Sequence, residues 1–158
     1  MSTGYSENSQ VRRVQAIADF QFGGLCGTAL FPDNCSFLLS STGRIRQILL
    51  DNKRLATVRA QDGRLTLGIE GARRLHACLP APRSRVGVAE EVADFIAGGK
   101  NVFAKHVVSA DPEIRPGDEV LIVAGNDRLI ACGTAVLAGS GMLAFNYGGA
   151  VKVRQGSA

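Results

Sequence analysis

Apolar residues near the start of the chain recur at the three- and four-residue spacing of one helix face: Val11, Val14, Ile17, Ala18 and Phe22. This spacing predicts an amphipathic helix that ends at the glycine pair Gly23-Gly24. Four segments that follow, residues 37–40, 44–50, 54–60 and 64–69, are separated by short turn sequences. They predict a meander of antiparallel strands in which Leu65, Leu67 and Ile69 face a core.

The middle of the chain predicts one more strand between two helices. Ala72, Leu75 and Leu79 mark the apolar side of a helix that Pro80 ends. Residues 85–88 predict a strand, and residues 90–97 a short helix closed by Gly98-Gly99. We place a domain boundary at this glycine pair, so that residues 1–10 form a flexible N-terminus, 11–99 a first domain and 100–158 a second.

The last sixty residues consist of short strands punctuated by glycine and proline. Arg115-Pro-Gly-Asp118 fits a turn in which Gly117 needs a positive φ angle. In the last strand Val151 and Val153 point inward, which leaves Lys152 and Arg154 outward. No helix here is long enough to cover a parallel sheet, so we expect a small β-barrel. The predicted fold class is α+β, an antiparallel sheet with flanking helices followed by this barrel.

Chain length, net charge and cysteine content limit the number of domains, the partners and the cellular compartment that we expect. The chain has 158 residues, and its 46% hydrophobic content is enough for two small cores. Its net charge of +4 fits a polyanionic partner without requiring one. The four cysteines, at positions 26, 35, 78 and 132, contain no C-x-x-C pair, so they signal neither a disulfide framework nor a zinc site. We expect a reducing cytoplasm, with no signal peptide and no membrane anchor.

Three motifs in a fixed order carry a family resemblance: Asn101-Val-Phe-Ala-Lys-His-Val-Val, Asp111-Pro-Glu-Ile-Arg-Pro-Gly-Asp-Glu-Val and Gly149-Ala-Val-Lys-Val-Arg154. Together they resemble the PUA domain, named for pseudouridine synthases and archaeosine transglycosylases. Upstream, Ile17-Ala-Asp-Phe-Gln-Phe-Gly23 and Ile69-Glu-Gly-Ala-Arg-Arg-Leu-His76 resemble the domain that precedes PUA at the C-terminal end of archaeal tRNA-guanine transglycosylases. The resemblance covers nearly everything after Gln10 and implies an archaeal source.

The resemblance implies an RNA-binding protein that grips structured RNA, above all tRNA at its acceptor stem and 3′ end, in support of tRNA modification. Such RNA is recognised by shape, 2′-hydroxyls, phosphates and stacking. The RNA-binding candidates, in descending order of their match to the motif, are Lys105, His106, Lys152, Arg154, Lys100 and then the arginine pairs Arg73-Arg74 and Arg44 with Arg46. The alternation of Lys152 and Arg154 with valines is equally typical of a solvated strand face. Phe103 and Met142 are candidates for stacking a base, but we expect Phe103 in the core.

We expect no catalysis from these residues alone. In the family, base exchange occurs in an N-terminal (β/α)8 barrel, which these 158 residues do not contain. The acidic residues at 111–127 fall in turns, where they serve chain reversal, and no nucleophile or phosphate-loop motif is present. We therefore expect no cofactor, no metal and no DNA. A catalytic transglycosylase subunit is the expected partner, docking on the helix at residues 11–22.

An alternative belongs to another functional class. The chain is then a protein-interaction or regulatory module that keeps the PUA fold without RNA binding, since a fold does not fix a function. Cations gathered on one face favour RNA, and scattered cations favour the interaction module.

Overall fold

A computed structural model describes the backbone from residue 3 to residue 158 and the side chains from residue 9 onward. The chain divides after Leu79 into two compact units, the second beginning at Pro80. The first unit contains a four-stranded sheet with helices, and the second a six-stranded, nearly closed sheet. The predicted α+β class is confirmed.

Three helices belong to the first unit: α1 (Thr3–Phe22), α2 (Gly27–Leu30) and α3 (Ile69–Cys78). The buried face of α1 is formed by Val11, Val14, Ala18 and Phe22, at the predicted spacing. The N-terminal segment differs from the prediction of a flexible 1–10, because α1 continues this helix back to Thr3. Residues 1 and 2 of that predicted segment lie outside the described residues.

The sheet of the first unit is the predicted meander. Its strands are β1 (Ser36–Leu39), β2 (Ile45–Leu50), β3 (Lys53–Val58) and β4 (Leu65–Leu67), paired antiparallel in that order. Helix α3 packs on β3 at Gly71, where an added Cβ would lie 2.0 Å from the carbonyl oxygen of Leu55. Only glycine permits this close approach of helix and strand.

Polar side chains of α1 form hydrogen bonds with the backbone of β4 and of α2. The Gln21 side-chain amide donates to the Leu65 carbonyl (2.9 Å) and accepts from the Leu65 N–H (2.7 Å), so it pairs with β4 as another strand would. Asp19 Oδ1 accepts from the N–H of Gly27 at 2.7 Å, at the start of α2. These bonds satisfy backbone groups at a sheet edge and at a helix N-terminus.

A disulfide joins Cys26, before α2, to Cys78 at the end of α3. Cys35 and Cys132 are free and buried. The cysteine spacing signals no disulfide framework, so sequence reasoning missed this single pair. The 52-residue separation of the two cysteines carries no local signal, and only the packing of α2 against α3 brings them together.

The second unit is built from these elements: β5 (Arg85–Val88), α4 (Ala93–Ala97), β6 (Val102–Phe103), β7 (Val107–Ala110), β8 (Glu119–Ala124), β9 (Arg128–Ala135), α5 (Gly139–Ala144) and β10 (Gly149–Gly156). The strand order is β6-β10-β9-β8-β5-β7, and only the β5–β8 pair is parallel. A single 3-10 turn, Ala104–His106, joins the two outermost strands, β6 and β7. The sheet therefore curls into a nearly closed barrel.

Strand β5 moves the domain boundary. It lies between β7 and β8 in the barrel sheet, so residues 80–99 belong to the second unit rather than to the first. The predicted boundary at Gly98-Gly99 differs from this division. The pairing of β5 with β8 is non-local, and no pattern within the strand itself reports it.

The turn before β8 and the barrel core agree with the prediction. Gly117 has a φ angle of 91°, and Asp118 Oδ2 accepts from the N–H of Arg115 at 2.9 Å. Inward-facing aliphatic residues fill the barrel, among them Val86, Val120, Ile122, Ala131, Met142 and Val151. This rigid core positions the loops that carry the candidate site.

Candidate nucleic-acid interface

The 3-10 turn between β6 and β7 presents the first two RNA-binding candidates. Lys105 is exposed and His106 is partly buried. Backbone bonds fix the turn at both ends, since the Ala104 N–H donates to the Gly148 carbonyl (2.9 Å) and the His106 carbonyl accepts from the Ala89 N–H (3.0 Å). Lys105 therefore projects from a well-held backbone into solvent.

Exposed aromatic rings lie on the strand and the loop that adjoin the same turn. Phe103 is 49% exposed and Tyr147 73% exposed, and Phe145 meets Tyr147 edge to face with the ring centroids 6.1 Å apart. Gly149 pairs with Phe103, so the loop carrying Tyr147 runs beside β6. The expectation of Phe103 in the core is wrong: Val102 takes the inward position, and strand alternation turns the next residue outward. Met142 is fully buried.

Strand β10 carries two further candidates with different surroundings. Lys152 is exposed, and its strand neighbour Val153 donates its N–H to Asn101 Oδ1 at 2.9 Å. This bond places Lys152 near Lys100, which is also exposed and precedes Asn101 in the chain. Lys100 and Lys152 thus lie at one end of the β6–β10 pair, and Lys105 follows the other end of β6.

Arg154 is committed to an internal ion pair. Its guanidinium binds both carboxylate oxygens of Glu119, with Nη2 2.8 Å from Oε2, and it also donates to Thr134 Oγ1 at 2.6 Å. The Glu119 side chain is 2% exposed and that of Arg154 25% exposed. The sequence places Arg154 outward beside Lys152, whereas the structure gives its charge a buried partner. Of these two β10 cations, Lys152 is the better placed to meet a phosphate.

The arginine candidates of the first unit differ in whether they have partners within the unit. Arg74 Nε donates to the carbonyl oxygen of Ala29 at 2.8 Å and so ties α3 to α2. Arg73 lies 3.5 Å from Glu70 on the exposed side of α3. Both side chains therefore have partners within the unit, which makes them weaker candidates for phosphate binding.

Arg44 and Arg46 remain exposed and line one groove, which also contains Arg13 of α1 and Arg59, just after β3. Sequence reasoning missed Arg13 and Arg59 as candidates. The two-residue spacing of Arg44 and Arg46 on a predicted strand and the helical spacing of Arg13 and Ile17 are local signals, but neither connects α1 with β2 or β3, because the groove is formed between elements distant in the chain.

Asp111 and Asp127 have structural partners, and burial protects the thiol of Cys35. Asp111 accepts the N–H groups of Ser84 (2.8 Å) and Glu113 (3.0 Å), and the buried Arg85 pairs with Asp127 at 2.9 Å. Burial raises the pKa of the Cys35 thiol to about 11, so it is protonated at neutral pH and is a poor nucleophile. Among the described side chains, no group of three or more His, Cys, Asp or Glu is placed to hold a metal ion.

None of the described helices is both long and apolar enough to cross a membrane.

Two family models match the chain. The patch-forming domain C2 of tRNA-guanine transglycosylase matches residues 12–82, and the PUA domain matches residues 84–156. The two matches meet close to the division between the compact units at Leu79 and Pro80.

Known proteins similar to the chain agree with these models. The tRNA-guanine(15) transglycosylase of Pyrococcus abyssi is 52% identical over 151 residues, which is 96% of this chain and 26% of the relative. The chain spans about a quarter of the length of the curated relatives it matches.

Solved structures share the fold across both units. A hypothetical protein from the hyperthermophilic archaeon Pyrococcus horikoshii OT3 superposes with a TM-score of 0.72 at 25% identity, covering 95% of this chain and 91% of its own. A conserved PUA domain protein from Thermoplasma acidophilum gives a TM-score of 0.64 at 20% identity, covering 95% and 89%.

Proposed function

The chain belongs to the PUA-domain proteins and carries the C2 and PUA domains of the archaeal tRNA-guanine transglycosylases; from this premise we propose that it binds structured RNA, above all tRNA, in support of tRNA modification. Its contacts are the acceptor stem and the 3′ end, held by the PUA unit. The exposed aromatic group beside Lys105 is the observation that carries this proposal.

The chemistry of that surface suits a stem with a single-stranded end. Exposed lysines attract the phosphates of the stem, and the faces of Tyr147 and Phe103 offer stacking surfaces to unpaired bases. Stacking of one base on an aromatic side chain contributes about 1–3 kcal/mol. The turn that carries Lys105 is connected to both stacking residues. Lys105 follows Phe103 by two residues, and its turn is hydrogen-bonded to Gly148, the residue after Tyr147.

Catalysis belongs to another polypeptide segment in this proposal. These residues grip the RNA, and a transglycosylase barrel supplied by a partner subunit exchanges the base in the cytoplasm. Phe20, near the end of α1, is 94% exposed, and Leu25, in the turn that follows this helix, is 82% exposed. Helix α1 is the one expected to dock that partner. Large apolar side chains with this exposure suit a protein interface.

A second candidate function is favoured by the same Phe20 and Leu25. A protein-interaction module would use this apolar pair and would have no affinity for RNA. The two functions predict opposite results when the purified chain is mixed with tRNA.

The test is a salt titration of tRNA binding by the wild-type chain and its variants. Lys105→Ala and Lys152→Ala should each lower the slope of log K against log[salt] by about 0.9, because each removes one phosphate contact. Tyr147→Ala should weaken binding by about 5- to 150-fold with little change in slope, since stacking is uncharged. Lys53→Ala, an exposed lysine at the start of β3, is the matched control. Binding that is identical in all four variants would refute the proposed site.

A further inference from the structure

A groove of about 1080 Å³ lies in the first unit, and every residue that lines it belongs to that unit. Its walls are α1, the turn between β1 and β2, and the connection from β3 to β4. Four arginines line it: Arg13, Arg44, Arg46 and Arg59. These four residues come from three separate segments of the chain, and the fold alone brings them to one concavity.

The charge of the groove is largely uncompensated. Arg13, Arg44 and Arg46 are exposed, and no side-chain hydrogen bond or ion pair within the described part of the chain involves their guanidinium groups. Arg59 pairs with Asp62, which does not line the groove. The described lining includes no acidic residue. Three cations without a partner among the described side chains, placed around one concave surface, favour an anionic ligand.

Part of the groove lining is apolar, and we call this part the floor. It consists of Ile17, Ile45 and Val58, which are partly exposed, and Thr42 adds a hydroxyl to the lining. A floor of aliphatic side chains offers contact to a nucleobase, and guanidinium groups bind phosphates and also stack on base planes. A paired strand keeps its bases stacked inside the duplex and cannot place them on such a floor.

We propose that this arginine groove binds an unpaired segment of RNA, with phosphates at Arg13, Arg44 and Arg46 and a base on the floor. The inference rests on the proposed function in one respect, since the ligand is RNA. It adds a second contact surface that does not depend on Lys105 or the aromatic rings of the PUA unit.

The experiment isolates the groove in a chain that carries Lys105→Ala and Lys152→Ala. The probes are a mixed-sequence single-stranded oligoribonucleotide and a duplex of the same length, measured by fluorescence anisotropy across a salt series. Adding Arg13→Ala, Arg44→Ala or Arg46→Ala should each weaken single-strand binding about fourfold at 0.15 M salt and lower the salt slope by about 0.7. Arg12→Ala is the matched control, because it removes the same charge from the neighbouring α1 position, which is exposed but outside the groove.

The outcomes separate the two proposals. If the groove variants bind as Arg12→Ala does while Lys105→Ala weakens tRNA binding in the otherwise native chain, the groove inference is overturned and the proposed function stands. If the duplex binds as tightly as the single strand with the same dependence on Arg44 and Arg46, the preference for unpaired RNA is overturned. If the wild-type chain binds no RNA at low salt, both proposals fail.

Discussion

Replacing Arg154 with alanine should destabilise the PUA unit rather than remove an RNA contact. The variant leaves the Glu119 carboxylate, 2% exposed, without its cationic partner. Removing one member of a buried ion pair costs about 3–5 kcal/mol, because the remaining charge stays desolvated. Thr134 still donates to Glu119 Oε2 at 2.9 Å, so we expect the lower end of that range, about 3 kcal/mol.

The assay is urea and thermal unfolding followed by far-UV circular dichroism. For a unit of this size, about 3 kcal/mol corresponds to a Tm lower by roughly 12–24 °C. Lys152→Ala, two residues earlier on the same strand, is the control and should stay within about 0.5 kcal/mol of wild type, because its side chain is exposed. The Arg154→Ala and Lys152→Ala variants should therefore differ in unfolding free energy by most of the expected loss of about 3 kcal/mol.

A double variant tests the cause of the loss. Combining Glu119→Gln with Arg154→Ala removes the unpaired buried charge, so the double variant should be more stable than Arg154→Ala alone. The reasoning is refuted if the double variant is no more stable than the single one. It is equally refuted if Arg154→Ala unfolds like wild type and lowers the salt slope of tRNA binding as much as Lys152→Ala does.

Three further predictions concern the first unit. Reduction of Cys26–Cys78, which closes a loop spanning 52 residues, should lower its unfolding free energy by about 4 kcal/mol in denaturant titrations with and without reductant. Gly71→Ala should cost about 1–3 kcal/mol by the same titration, because the new Cβ would meet the Leu55 carbonyl; an unchanged midpoint would contradict this contact. Cys35, whose pKa burial raises from 9.0 to about 11, should contribute stability that is complete below pH 9 and lost as the pH rises towards 11; Cys35→Ala should flatten this loss.

Much of the fold follows from local pattern. The apolar alternation of Leu65 and Leu67 predicts β4 correctly, and the Pro-Gly turn before Glu119 predicts the start of β8. These elements are specified by neighbours in the sequence, through side-chain period and turn geometry. The place of β5 is not specified in this way, since its parallel partner β8 lies beyond two other strands in the chain.

The candidate site was predictable only in part, because some of its charged residues have partners that are distant in the chain. Lys152 and Arg154 look equivalent along the strand, because both alternate with valines. Glu119 reaches Arg154 from another strand, and no local pattern reports such a pairing. The family resemblance identified the PUA motif around Lys105. It did not distinguish the charges that are free to bind a ligand from those that hold the fold together.

The most direct test of the account is the affinity of the purified chain for intact tRNA compared with the same tRNA trimmed of its unpaired 3′ nucleotides, at fixed salt. If the PUA unit binds the 3′ end, trimming should weaken binding by at least about 5-fold, the loss of about one stacked base, and Tyr147→Ala should remove this difference. Equal affinity for the two tRNAs would contradict recognition of the 3′ end, and absence of binding to either at low salt would contradict RNA binding by this chain.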